Sequence, residues 1–418
     1  MFQKIFKSNF IRSSVIFSVA SFIVSVIGYL INLIVARSFS LSDYGELMTA
    51  MSYVLFLSVP ITTFGLIVIQ RIGKEDTLGR KKIALDLEKW LFSELKTHMP
   101  LLTILVLIFS TLVYFKGNLG LPAIIFVVVT SFLMLFQIFY SSVLQSFKNF
   151  FWAGLFLITI ILSKFSFAIG VIVISPNLIN LFLAFTLSLI IGLAVGKKMI
   201  GNTKVISDKN ITHKFLNIFS YLKRKGLLIT LITTLGLVGL ANVDIILVKK
   251  FFPADQAGLY SSISLLGKII LYVSMPLSQV AFSFFTGKDS KHNSLLILIL
   301  LSIVYLFIGS VSTFIYFFFP DLVINVIFGS KFLNISSLIW MVAIFGTLYS
   351  LVTLYAQFFI ARNSWWGALA IIALFIQFFA IFFNHGSLEE VLTINIFTSF
   401  LLLTALVGKI ALSDVRKI

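Results

Sequence analysis

An all-α polytopic membrane protein is the fold class this sequence predicts, with about twelve transmembrane helices in two six-helix lobes. Three observations predict it. Hydrophobic residues make up 59% of the 418 and charged residues 11%, with a mean hydropathy of +1.09, far from the roughly 45–50% apolar and 25% charged of soluble domains. Apolar runs of about the length a bilayer requires recur along the whole chain. The basic residues between those runs alternate in density, as loops on opposite membrane faces do.

The spans fall, in order, at approximately 14–36, 44–69, 98–115, 121–147, 151–174, 178–196, 226–248, 258–286, 294–319, 334–360, 364–384 and 391–411. The first follows Lys4, Lys7 and Arg12 as a signal peptide would, but no small-residue cleavage site precedes the second span, so it reads as a retained helix. Pro60 and Pro276 lie inside the second and eighth spans, where proline usually marks a kink. The start of the third is blurred by Pro100 and the charged stretch before it. The longest polar stretches are about 70–97 and 197–225. The domain organisation that follows is an N-terminal lobe at 1–199, a cytoplasmic linker at 200–225 and a C-terminal lobe at 226–418.

With the N-terminus inside, 25 of the 32 Lys and Arg residues fall on cytoplasmic ends and loops and 5 on outer ones, leaving Lys164 and Lys268 within the membrane. Both termini are therefore expected in the cytoplasm. The net charge of +17 collects on that face, so contact with anionic headgroups accounts for it and nucleic acid does not. The chain has no cysteine, which excludes disulfides, thiolate nucleophiles and cysteine metal sites.

An offset of 213 sets IVARSFSLSDYGEL at 34–47 beside LVKKFFPADQAGLY at 247–260, matching Arg37 with Lys250, Phe39 with Phe252 and Gly45 with Gly258. Two similar halves, each entered from the cytoplasm, form a parallel repeat with a pseudo-two-fold axis along the membrane normal. Transporters are built this way, with the substrate path between the halves.

No nucleotide-binding loop, serine-nucleophile elbow or zinc-type histidine pair is present, and His98, His213, His292 and His385 lie far apart. Charges at membrane depth carry the information, since each costs about 2.5–3.5 kcal/mol at a helix centre and so faces a cavity or a partner. Lys164 lies in the fifth span among apolar neighbours, Lys268 in the eighth, and Asp244 in the seventh beside Asn242. Ser261, Ser264, Lys268, Tyr272 and Gln279 share one helical face. That face can present a cation to a phosphate, or Lys268 can pair with Asp244 as a structural bridge or snorkel to a headgroup.

In the first span Ser14, Ser18, Ser21, Ser25, Gly28 and Asn32 repeat at helical spacing, which favours close packing. In the fourth, Thr130, Gln137, Ser141, Gln145 and Lys148 form a stripe whose glutamines suit a lumen. Arg37, at the outer end of the first span, either snorkels to headgroups or, with its repeat mate Lys250, flanks the exit of a central path.

Two stretches, LIVARSFSLSDYGELMTAMSYVLFLSVPITTFGL at 33–66 and NVDIILVKKFFPADQAGLYSSISLLGKIILYVSMPLSQVAF at 242–282, resemble the polysaccharide or O-antigen flippases of the multidrug/oligosaccharidyl-lipid/polysaccharide exporter superfamily. Length, the twelve-span layout and the two cytoplasmic breaks extend the resemblance over essentially the whole chain. It implies translocation of a polyprenyl-diphosphate-linked oligosaccharide across a bacterial inner membrane, for O-antigen or capsule assembly, by two lobes in alternating access. It also implies a cationic lumen, which Arg37, Lys164, Lys250 and Lys268 could supply with Tyr272, Gln137 and Gln145. Asp244, in the NxD stretch with Asn242, resembles an ion-coupling acid. No cofactor is expected beyond H+ or Na+ as the coupling ion; the expected partners are the lipid-linked substrate, the membrane, and a polysaccharide polymerase with its chain-length machinery. A cation-coupled multidrug antiporter of the same superfamily is the alternative, ahead of a membrane-embedded glycan polymerase or acyltransferase and a structural scaffold.

Overall fold

The computed structural model of the chain describes residues 9–72, 77–147, 150–201, 225–286 and 291–412, and every regular element among them is helical. In chain order the α-helices are α1 (Asn9–Ser38), α2 (Leu41–Ile72), α3 (Thr77–Thr97), α4 (Met99–Gly117), α5 (Leu121–Ser146), α6 (Phe150–Ile174), α7 (Leu178–Gly201), α8 (Lys225–Leu240), α9 (Val243–Phe251), α10 (Ala254–Thr286), α11 (Lys291–Phe318), α12 (Pro320–Ile327), α13 (Ile339–Ala361), α14 (Leu369–Phe383) and α15 (Leu388–Leu412). Short 3-10 turns at Ser330–Leu338 and Trp365–Ala368 lead into α13 and α14. Eleven helices among the described residues have the length and apolarity to cross a membrane, or twelve when α8 and α9 count as one span. The protein is a multi-pass membrane protein.

Three elements differ from the sequence expectation. The span read as continuous over 226–248 is broken, α8 and α9 meeting at a 41° bend. The charged stretch before 98 is a helix, α3, whose core face is hidden from a hydropathy scan by its lysines. The tenth span begins in a 3-10 turn. Of the expected linker at 200–225, residues 202–224 lie outside the described residues, as do Lys4, Lys7 and Lys148.

The chain divides into two compact units, Met1–Ser38 with Pro60–Lys223 and Phe39–Val59 with Arg224–Ile418. In the first, α6 lies against both α1 and α7, and α5 completes the bundle. Small residues allow the approach: a Cβ on Gly154 would meet Ala20 at 2.8 Å, and Gly28 of the α1 stripe faces Ile161. Two polar members of that stripe fold back on their own helix, Ser25 Oγ donating to the Ser21 carbonyl and Asn32 Nδ2 to that of Gly28. At one end of this unit Ala84, Leu87 and Leu91 of α3 join Ile72, Phe136, Tyr140, Phe156 and Ile200 in one core. By contrast α4 buries only Val113 and Gly117, so lipid is its main neighbour.

In the second unit α13 is the buried helix, packed by α10, α11 and α15. Glycines again set the spacing: Gly267 and Gly346 bring the α10 and α13 backbones together, and Gly236 brings α8 onto Ala370 and Ile371. The N-terminal half of α2, up to Val59, packs here. Ser40 caps it, with Asp43 N–H donating to Ser40 Oγ at 3.1 Å and that hydroxyl donating to Asp43 Oδ2 at 2.7 Å. Gly45, four residues into the helix, lies against its repeat mate: a Cβ there would be 2.8 Å from Gly258 N, and one on Gly258 would strike the Leu41 carbonyl oxygen. Thus two stretches matched by sequence alone meet backbone to backbone.

Candidate functional site

The bend between α8 and α9 is built into the sequence. Gly236, Gly239 and Asn242 are poor helix formers in an otherwise apolar run, and breaking the helix frees carbonyls that lipid cannot satisfy. The protein supplies donors. Gln377 Nε2 donates to the Leu240 carbonyl at 3.2 Å and Asn242 Nδ2 to that of Val238 at 2.8 Å, while Tyr349 Oη adds a second bond at 2.8 Å to the Leu237 carbonyl, which also accepts the Ala241 N–H at 3.2 Å.

The first turn of α9 then presents Asp244, which is 1% exposed. A carboxylate is favoured there because the free N–H groups at a helix start carry partial positive charge. Asp244 Oδ1 accepts the Ile245 N–H at 2.9 Å, and Oδ2 accepts Tyr260 Oη at 2.6 Å and Asn395 Nδ2 at 2.9 Å. Asn395 Oδ1 in turn accepts Gln377 Nε2 at 2.7 Å. Three helices, α9, α10 and α15, thereby meet at one carboxylate, and α14 joins them through Asn395. Gln377 Oε1 is buried with no hydrogen-bond partner among the described residues, so the network holds more polar capacity than its own bonds consume.

Lys268 sits beside this network and does not bond to Asp244. Its Nζ donates to Asn242 Oδ1 at 3.0 Å, an oxygen that Ser52 Oγ of α2 approaches at 3.5 Å. Asp244 and Lys268 still act on each other through space. The structure therefore gathers Asn242, Asp244 and Lys268, an acid and a base held separately by neutral groups. Such an arrangement can offer the ammonium to an anion while the carboxylate exchanges a proton or a small cation.

The other residues singled out in the sequence lie apart from this cluster. Tyr272 is half-buried on α10, one turn beyond Lys268, and Ser261 and Ser264 of the same face are buried; the Gln279 side chain is outside the described residues. Lys250, at the end of α9, lies over the Phe251 ring at 4.8 Å and the Phe382 ring at 5.0 Å. Its neighbour Lys249 is the buried one, 3.9 Å from Glu46 of α2.

In the first unit, Arg37 is exposed at the end of α1. Lys164 of α6 stands 3.9 Å over the Phe185 ring of α7, an electrostatic contact that partly offsets its loss of water. Gln145 Nε2 donates to Ser141 Oγ on its own helix, and Gln137 is half-buried on the same face of α5.

Sequence reasoning missed Tyr260, Gln377, Asn395 and Ser52. Gln377 and Asn395 carried a signal, as amides inside the strongly apolar runs of the last two spans. Tyr260 and Ser52 carried none, because each becomes polar machinery only through partners distant in sequence.

No family model matches the chain, and no curated protein matches it. Solved structures do, at fold level. A lipid II flippase, MurJ, in an inward closed conformation superposes with a TM-score of 0.70 at 14% identity, over 96% of this chain and 88% of that one. An outward-facing multidrug resistance transporter of the MATE family in the MOP superfamily gives 0.63 at 15% identity, with 98% of each chain covered. A MOP superfamily transporter from Pyrococcus furiosus, titled for the reversed polarity of its binding pocket, gives 0.63 at 15%, over 99% of this chain and 98% of that one. At these identities the likeness establishes the fold: the chain has the architecture of MOP-type transporters.

Proposed function

We propose that this protein is a transporter that moves a polyprenyl-diphosphate-linked oligosaccharide across a bacterial inner membrane, with both termini cytoplasmic, by alternating access. The observation that carries this reading is Lys268, a cation at membrane depth bonded to neutral Asn242 at 3.0 Å and not to Asp244. An ammonium held that way is available to a diphosphate, which cannot cross hydrocarbon uncompensated. Lys164, Arg37, Lys250, Tyr272, Gln137 and Gln145 are the further groups proposed to receive the diphosphate and sugar. Asp244 with Asn242 is proposed to couple transport to H+ or Na+, supported by the donors from two other helices, Tyr260 of α10 and Asn395 of α15, that fix its carboxylate. The fold shared with a lipid II flippase supports the substrate class. A polysaccharide polymerase is the proposed partner, for O-antigen or capsule assembly.

The second reading, a cation-coupled multidrug antiporter, is favoured by the equal reach of the likeness to MATE transporters and by the buried acid at Asp244. Deleting the gene in its host and quantifying surface polysaccharide together with polyprenyl-linked repeat units separates the two. The flippase reading expects loss of surface polymer and accumulation of lipid-linked units; intact polymer with greater sensitivity to cationic dyes supports the antiporter instead.

A further inference from the structure

The helix α3 is not a membrane span, and neither reading of the transported substrate uses it. Its inner face is core: Ala84, Leu87 and Leu91 are 2%, 5% and 6% exposed, packed with Ile72 of α2 and Phe136 and Tyr140 of α5. Tyr140 Oη donates to Glu88 Oε1 at 2.8 Å, Trp90 lies on Phe64, and Phe92 stacks on Phe136 at 5.0 Å. These contacts fix the rotation of α3 about its own axis and so determine which residues face outward.

At 100° per residue, Lys81, Lys82, Leu85, Lys89, Phe92 and Lys96 fall within a sector of about 100°, opposite the core face. Lys82, Lys89 and Lys96 repeat every seventh residue, and Leu85 and Phe92 repeat between them at the same period. None of the three carboxylates of α3, Asp86, Glu88 and Glu94, lies in that sector. Phe92 is 49% exposed even while stacked on Phe136. A face that met only water would intersperse both charge signs and would not leave half of the Phe92 surface uncovered. Directly after α3, Met99, Leu101 and Leu102 of α4 are exposed at 64%, 54% and 37%, where the lipid-facing surface begins. The stripe therefore ends at the headgroup level of the bilayer.

We infer that the outer stripe of α3, Lys81, Lys82, Leu85, Lys89, Phe92 and Lys96, is a binding surface for anionic phospholipid headgroups. Lysine stems lie along the acyl boundary with their ammonium groups at phosphates, and Leu85 and Phe92 enter between the lipids. Because the inner face of α3 grips the end of α2 and the middle of α5, this contact ties the lipid surface to the helix packing of the first unit.

The test uses the full-length chain in nanodiscs. Since the protein has no cysteine, Ser93→Cys, on the exposed side of α3, takes a polarity-sensitive fluorophore at one position. Phosphatidylglycerol is titrated into phosphatidylcholine. The expected result is a shift toward a less polar environment as phosphatidylglycerol rises, reversed by salt, with the apparent affinity falling about fivefold for each of Lys82→Gln, Lys89→Gln and Lys96→Gln. The triple Lys→Arg variant keeps charge and should keep the response. Lys197→Gln with Lys198→Gln, on α7, should leave it unchanged. An identical response in pure phosphatidylcholine, an unaltered response in the triple Lys→Gln variant, or an equal loss from the α7 pair would each overturn the inference.

Discussion

Asp244 is the residue at which the chemistry can be isolated most cleanly. Asp244→Asn keeps the shape and one acceptor oxygen but turns an NH2 toward one of three existing donors, which costs about 1–3 kcal/mol. The variant should still fold, with a lowered melting temperature, and its transport should no longer respond to an uncoupler or to replacement of sodium. Transport that keeps full sensitivity to both would remove Asp244 from coupling. Tyr260→Phe deletes the 2.6 Å bond to the same carboxylate. Bonds to a charged group contribute about 1.5–3 kcal/mol in soluble proteins, whereas membrane double-mutant cycles average about 0.6 with a maximum near 1.7, so a loss of roughly 1–2 kcal/mol is expected in a reversible unfolding titration. Lys268→Ala, by contrast, should abolish glycan export with protein abundance unchanged, because the one hydrogen bond it removes is to the neutral Asn242; export at the normal rate would count against a role for Lys268 in receiving the diphosphate. These three residues were unequally legible. A charge inside an apolar run announces itself, so Asp244 and Lys268 could be read directly, but Tyr260 is one of 12 tyrosines and nothing local marks it.

At the scale of elements, glycine placement specifies how the helices meet. A Cβ at Gly258 would collide with backbone, the Leu41 carbonyl, and backbone at a packed helix start cannot rotate away as a side chain can. Gly258→Ala should therefore cost about 1–3 kcal/mol as overpacking does, read as a lower melting temperature of the solubilised protein. Gly170→Ala on α6, where a Cβ would meet nothing within 4 Å, is the control and should be neutral or slightly stabilising, since alanine is the better helix former. Equal effects at both positions would show that the close approach of α2 and α10 is not what Gly258 serves. Eleven spans were legible because each carries enough apolar length by itself, and the seventh because α8 and α9 do so together. The bend between α8 and α9 was not, because hydropathy averages over a window and registers neither a missing hydrogen bond nor the distant side chain, Gln377, that donates to a carbonyl at the break. The packed face of α3 was missed for a related reason: Ala84, Leu87 and Leu91 are diluted by lysines in any linear average, although their helical spacing is plain once the helix is known.

For the whole molecule, the border between the two compact units falls inside a helix, between Val59 and Pro60 of α2. Linear order groups all of α2 with the segments around it, yet its N-terminal half and the residues just before it find their partners in residues 224–418: Ser52 with Asn242, Glu46 with Lys249, Gly45 with Gly258, and the Phe39 carbonyl with Lys331, whose Nζ donates to it. A single helix thus serves two packing environments, and the change occurs at the one residue in it that cannot donate a backbone hydrogen bond. Proline removes the bond to the carbonyl four residues earlier, here Phe56, and crowds that carbonyl, which leaves the helix locally easier to bend. In a membrane such a site persists only where neighbours tolerate the unpaired carbonyl. If α2 must bend there during the transport cycle, Pro60→Ala should restore the missing bond, leave the melting temperature unchanged or higher, and slow transport several-fold. A destabilised Pro60→Ala protein would mean that proline is required by packing, and an unchanged transport rate in a stable variant would mean that α2 moves as a rigid rod. Measuring melting and transport on the same preparation distinguishes all three outcomes.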